Sequence, residues 1–187
     1  MGTDKALLMV DGVPLVRRTA DAAITAGATA VITVAAPEPV SSLLPGVPDR
    51  WPGEGPLGGV VAALGALDAE VVLVVSCDLL DPSPEAMRMT VAALDAAPGA
   101  DIAVPMAGGR RQWLHAAWRR RSVLDGLVVQ FEWGLRAIHR AVSEANLRVH
   151  EVGGIADAAV VDVDTPDDLR ATGRTWAVYN PRPRPAS

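Results

Sequence analysis

Five aliphatic residues in a row, Val71-Val72-Leu73-Val74-Val75, run into Ser76-Cys77-Asp78 and constrain this chain more than any other stretch. An apolar run without alternation predicts a strand buried on both faces, the environment of a parallel sheet covered by helices. Farther on, Ser83-Pro84-Glu85 combines an N-cap, a proline for the first helical position and an early acid, so a helix is expected from there to about Ala97. Asp78 then sits where the strand stops, several residues short of the helix. Open α/β sheets bind their ligands in the crevice beyond that end of the strands. The carboxylate has two readings: a turn aspartate bonding nearby amides, or a ligand for Mg²⁺, which takes one or two carboxylates plus substrate phosphates. Because Ser83 supplies the cap and Asp81 can serve the turn, Asp78 has no evident structural duty, and the second reading gains.

Composition narrows the possibilities. The chain has 187 residues, half of them apolar and 21% charged, enough for one domain with a sizeable core and too apolar for extensive disorder. Its net charge of −5 argues against nucleic-acid binding through a broad basic face, so any phosphate must meet a local cluster. The single cysteine, Cys77, excludes an intrachain disulfide. It is expected to be a small buried thiol in a reducing compartment. No apolar run approaches the ~18 residues needed to cross a bilayer, and Met1-Gly2-Thr3-Asp4-Lys5 does not open a signal peptide. The expectation is a cytoplasmic protein with neither a membrane nor a nucleic-acid partner.

Lys5 is the only lysine, a compact cation suited to phosphate. Ala6 to Val10 can be a short extended piece ending in the turn Asp11-Gly12. Pro14 then opens a helix that Gly27 closes, with Ala30 to Ala35 as the next central strand. The stretch from Asp49 through Gly53, Gly55-Pro56-Leu57 and Gly58-Gly59 leads into an apolar helix over Val60 to Leu67. Glycines there expose backbone N–H groups at a helix start, for an anion or a ribose, or serve a tight turn. Strands are expected at Asp101 to Pro105 and Gln112 to Trp118, the latter bracketed by Arg110, Arg111, Arg119, Arg120 and Arg121. These arginines are either a solvated surface or a receiver for an anionic second substrate. A helix over Glu132 to Ala145 and strands at Arg148 to Val152 and Val160 to Val163 come next. Thr165 caps a last helix and leaves Asp164 at a strand end. The folded domain is expected to span 1–176, and the proline- and arginine-rich stretch 177–187 to be a flexible tail. His115, His139 and His150 lack zinc spacing, and Trp51 is placed to stack on a base.

In order along the chain stand Met1-Gly2-x-Asp4-Lys5-Ala6-Leu7-Leu8, Asp11-Gly12-x-Pro14-Leu15, Asp49, Gly55-Pro56-Leu57-x-Gly59, Cys77-Asp78 and Asp164-Thr165-Pro166-x-Asp168-Leu169. This succession resembles the MobA-like nucleotidyltransferases, most of all the molybdenum-cofactor guanylyltransferases, over roughly positions 1 to 172. The resemblance implies a Rossmann-like three-layer α/β/α sandwich with a mostly parallel sheet. It also implies transfer of GMP from GTP to molybdopterin with Mg²⁺, and molybdoenzymes or cofactor-biosynthesis proteins as partners. By the same likeness Gly2, Lys5, Asp49 and Asp78 bind the nucleotide, Lys5 and Asp78 are catalytic, and Asp78 and Asp164 hold the metal. The family pattern places a strand and a Leu-Ala-Gly-Gly-x-Ser-x-Arg loop ahead of the Met-Gly. A start codon assigned too far downstream would account for its absence from this sequence, and neighbouring strands should then carry unpaired backbone groups. Ala36 stands where guanylyltransferases often carry Asn, and Asp164 where Asn is common. Those departures keep CTP and a cytidylyl- or sugar-nucleotidyltransferase open as alternatives, beside a non-catalytic nucleotide- or partner-binding homologue.

Overall fold

Asp11 and Gly12 both take positive φ, 53° and 80°, as a two-residue hairpin turn requires. They join β1 (Leu8–Val10) to β2 (Val13–Pro14), which pair antiparallel. The computed structural model describes residues 5–34, 36, 40–48, 50–160, 162 and 173–178. Helix α1 (Leu15–Ala26) starts directly after Pro14 and stops at Gly27, whose φ of 109° only glycine adopts easily. The short strands β3 (Thr33–Val34) and β4 (Gly46–Val47) pair in parallel. Helix α2 (Pro56–Ala66) begins at the proline itself, four residues ahead of the expected Val60, because Gly55 at φ 86° turns the chain into it.

The run at Val71 forms β5 (Val71–Leu73), and α3 (Pro84–Ala96) begins where the cap was expected. Ser83 Oγ accepts from Ala86 N at 3.2 Å, an N-cap contact. The remaining strands are β6 (Ile102–Ala107), β7 (Arg110–Arg111), β8 (Ala117–Arg119) and β9 (Val149–Val152). Between β8 and β9 lie two helices, α4 (Arg120–Glu132) and α5 (Ile138–Glu144). The expected single helix from Glu132 is thus displaced. Gly134, at φ 94°, breaks it, and α4 buries Val123, Leu127 and Phe131 at a four-residue spacing. Last, β10 (Trp176–Val178) pairs antiparallel with β1.

Helices lie on both faces of the main sheet. On one side Leu57, Val61 and Leu64 of α2 pack with Leu127 and Phe131 of α4, with α5, and with Trp118 and Ile102 of the strands. On the other, Leu94 of α3 packs on Ala103, Ala117 and Val152. The expectation of a mostly parallel sheet needs correction. Strand β8 lies between β5 and β6 and runs antiparallel to both, and β7 is also antiparallel to β6; only β6 with β9 is parallel in this sheet. The link from β6 to β8 spans 108–116, too short for a parallel crossover, which takes a dozen or more residues.

Two more expectations are overturned at β5. Among the described residues it pairs only with β8, so it is an edge strand. Val72 is buried, whereas Val71, Leu73, Val74 and Val75 are half-exposed, and Cys77 is exposed rather than buried. The arginine cluster also divides. Arg119 donates from Nε to Ala100 O at 3.0 Å and from Nη2 to Leu94 O at 2.7 Å, and Arg120 Nε donates to Leu64 O at 2.8 Å. Leu94 and Leu64 lie in the last turns of α3 and α2, where carbonyls lack helical partners and a cation is favoured. Both side chains therefore have a structural use. Arg119→Met is expected to lower stability in urea unfolding by about 1.5–3 kcal/mol; unchanged stability would return Arg119 to the surface reading.

Candidate active site

The segment Lys5–Leu7 is a single tight turn, held in place by its own apolar residues. Ala6 and Leu7 are buried against Val16 and Ala20 of α1 and against Val40 and Leu44. That anchoring holds the Lys5 side chain, one third exposed, over the end of β5. Its Nζ lies 4.0 Å from Asp78 Oδ2, and the Asp78 side chain is 18% exposed. Ser76 Oγ donates to Asp78 Oδ1 in a short hydrogen bond. Ser76 itself is held by its N–H on Leu114 O at 2.9 Å. One oxygen of the carboxylate is thus oriented by the strand end, and the other faces the ammonium.

The loop beyond Asp78 is braced on two sides. Arg18 Nη2 of α1 donates to Leu80 O at 3.3 Å and lies 3.5 Å from Asp81, and Arg174 Nη1 donates to Asp81 Oδ1 at 2.6 Å. Asp81, expected to serve the turn, serves it through these arginines. Leu79 forms an isolated antiparallel bridge with Asp162, which brings a second acidic residue beside the strand end. His115 completes the group. It is 7% exposed, and its Nε2 lies 3.9 Å from Asp162 Oδ1. Burial pulls its pKa down to about 4, with the Asp78 carboxylate acting in the opposite direction. The ring is therefore neutral near pH 7.

Of the residues singled out in the sequence, Lys5 and Asp78 come together although 73 positions separate them. Gly2, Asp49 and Asp164 lie outside the described residues. Trp51 is half-exposed, and its ring sits 4.6 Å from that of Phe131, which in turn receives the Arg136 guanidinium at 4.1 Å. Ser76, His115 and Asp162 do not stand out as site residues in the sequence. Ser76 could have done so, since a hydroxyl two residues before a strand-end aspartate reaches it locally. For His115 the sequence offers only the zinc-spacing test, which is blind to a neutral histidine facing carboxylates.

Comparisons with known proteins bear on the family and the fold. A family model described as MobA-like NTP transferase domain matches residues 1–149. A protein of Pelotomaculum thermopropionicum named "Probable molybdenum cofactor guanylyltransferase" is 34% identical over 199 positions, covering 95% of this chain and 92% of its own length. One of the same name from Nostoc sp. is 29% identical, covering 99% of this chain and 90% of that protein. Among solved structures, molybdopterin-guanine dinucleotide biosynthesis protein A of Archaeoglobus fulgidus superposes with a TM-score of 0.71 at 19% identity, over 91% of this chain and 89% of that one. The 2-C-methyl-D-erythritol 4-phosphate cytidylyltransferase of Thermus thermophilus gives 0.65 at 22%, over 89% and 91%. These likenesses establish an α/β nucleotidyltransferase fold.

The buried histidine has a consequence for stability. Unfolded histidine takes a proton near pH 6.5, but His115 in the folded protein takes one only near 4. Between those values the unfolded chain binds more protons, so stability is complete above pH 6.5 and falls as pH drops toward 4. The loss reaches about 3 kcal/mol, from the linkage of roughly 1.4 kcal/mol per pH unit. His115→Phe is expected to flatten denaturation midpoints over that window. An NMR titration of the ring near its ordinary 6.5 would contradict the assignment.

Proposed function

The chain belongs to the MobA-like NTP transferase domain family, and on that premise we propose that it is a Mg²⁺-dependent guanylyltransferase, moving GMP from GTP to the terminal phosphate of a molybdopterin acceptor with release of pyrophosphate. The observation that carries this reading is the Lys5–Asp78 pair at the end of β5, the crevice position at which open α/β sheets take ligands. Guanylyl transfer and the molybdenum cofactor enter through the names of the two relatives, and molybdopterin through that of the Archaeoglobus fulgidus protein.

The residue types suit the chemistry. The attacking group is a phosphate monoester, largely ionised at neutral pH with a second pKa of about 6, so no strong base is required. Transfer then depends on in-line positioning and on neutralising charge at the α-phosphate and the leaving pyrophosphate. Lys5 would meet the nucleotide phosphates directly; its ammonium is anchored by the burial of Ala6 and Leu7. Gly2 and Asp49 would contact the nucleotide.

Asp78 offers a hard carboxylate oxygen oriented by Ser76, which fits a cation that takes one or two carboxylates beside phosphate oxygens. Asp78 would hold Mg²⁺, with Asp164 as second ligand; the bound ion supplies charge neutralisation on the triphosphate. His115, neutral at pH 7, leaves the negative charge of Asp78 uncompensated on that side, which favours a cation there.

Two outcomes are expected. Calorimetry with Mg²⁺ present should detect GTP at or below millimolar concentration, more tightly than CTP. CTP preference would redirect the reading to a cytidylyltransferase, and no binding of either would end it. Asp78→Asn should lower GMP transfer by roughly 10²–10³-fold, the scale for removing one element of transition-state charge stabilisation. Its melting should stay close to that of the parent; full activity in the variant would remove Asp78 from the machinery.

A further inference from the structure

The link between α4 and α5 carries a guanidinium with contacts in two directions. Arg136 Nη1 donates to Phe131 O and to Leu135 O, both at 2.9 Å, and its Cζ stands 4.1 Å over the Phe131 ring. These contacts meet the end of α4, where carbonyls lack helical partners and a cation is favoured. Its Nε donates instead to Glu54 Oε2, 82 positions away in the segment 51–55 that precedes α2. That segment leans on the same group elsewhere. The Trp51 ring lies 4.6 Å from Phe131, and a methyl on Gly55 would meet Arg136 Cβ at 3.7 Å. Just inside α2, a methyl on Gly58 would meet Phe131 Cε2 at 3.4 Å. Glu54 N donates to Trp51 O at 3.1 Å and closes the turn between them.

Both halves of this contact lie at the crevice end of the sheet. Arg120, at the start of α4, donates from N to Glu70 O and from Nε to Leu64 O, which sets it beside the last turn of α2 and the entry to β5. The start of α2 and the end of α4 therefore lie toward the other end of β5, where Asp78 stands. Pro56 and Gly59 of α2 line one cavity with Ser76 and Cys77. The Arg136 and Glu54 side chains are 39% and 47% exposed, so their attraction is screened and adds little stability. A bond of that kind, tying a loop to the ends of two helices, has a positional use.

We propose that Arg136 is a positioning residue for the nucleotide: through Glu54 and Phe131 it holds segment 51–55 in the arrangement that lets Asp49, two positions ahead of Trp51, meet the bound nucleotide. The inference rests on the reading proposed above, in which Asp49 contacts the nucleotide. Arg136 acts through the loop and not on the substrate. Its planar fork of donors spans two carbonyls and a carboxylate at once, which a single ammonium does not do. A loop already held in its binding arrangement loses less freedom when the ligand arrives. If release of the clamp leaves that arrangement populated about one part in ten, apparent affinity falls about tenfold.

Variants of the full chain separate this role from a purely structural one. Arg136→Met removes every bond of the guanidinium, whereas Glu54→Ala removes only the link to the loop. Both are expected to weaken binding of the nucleotide the parent prefers, GTP or CTP, by about tenfold in calorimetry with Mg²⁺. With that nucleotide saturating, kcat should stay within about threefold of the parent. Glu54→Ala should melt like the parent, because the carbonyls of α4 keep their partner. Glu54→Gln, which retains an acceptor oxygen, should recover most of the lost affinity. Arg119→Met loses helix-end contacts of the same kind at the opposite end of α4, and should bind nucleotide like the parent. Unchanged affinity in Arg136→Met or Glu54→Ala, no recovery in Glu54→Gln, or an equal loss in Arg119→Met would overturn the proposal. A parent that binds neither nucleotide ends the reaction reading and this inference with it. That result is read from the parent alone, and is distinct from variants that match a parent that binds.

Discussion

An ammonium and a carboxylate, held 4.0 Å apart at the end of one strand, are the contact on which the rest of the crevice depends. Neither is deeply buried, so in water their direct attraction is small and screened by salt. Its value is positional. Two apolar neighbours fix the lysine, a serine fixes the aspartate, and two arginines brace the loop that carries it. A phosphate chain with a divalent cation can be met at this point by charges already oriented, which is where preorganisation lowers a barrier.

Local signals were the most legible in the sequence. The Asp11-Gly12 turn, the Gly27 stop and the Ser83-Pro84 start each arise from the backbone preferences of a few neighbouring residues, and each forms as expected, although the strand Val13–Pro14 after the turn was not. Sheet direction was not legible, because an apolar run reports burial and not the orientation of its neighbour; only the short 108–116 link betrays β8 as antiparallel. Helix α4 was hidden behind Arg119 to Arg121, which have the look of a solvated flank. In fact two of those arginines reach back to the last carbonyls of other helices, a long-range use that spacing does not reveal.

The site divides in the same way. Asp78 could be marked from its place after a strand, and Lys5 from its chemistry alone. Their meeting is a product of the fold, and the sequence pointed to it only through an ordered set of motifs. His115 escaped because its significance lies in burial against Asp78 and Asp162, which no motif carries. The run Val71–Val75 is instructive in another respect. Its composition suits a strand with neighbours on both edges, yet among the described residues β5 has one.

Lys5 is the only lysine in the chain, so carbon-13 labelling of lysine Cε gives one resonance that reports on the crevice. Titrating GTP with Mg²⁺ and tracking that signal tests most directly whether the strand-end pair meets a nucleotide. If it does, the resonance shifts saturably and pyrophosphate reverses the shift. A resonance unmoved at millimolar nucleotide would contradict that role for Lys5.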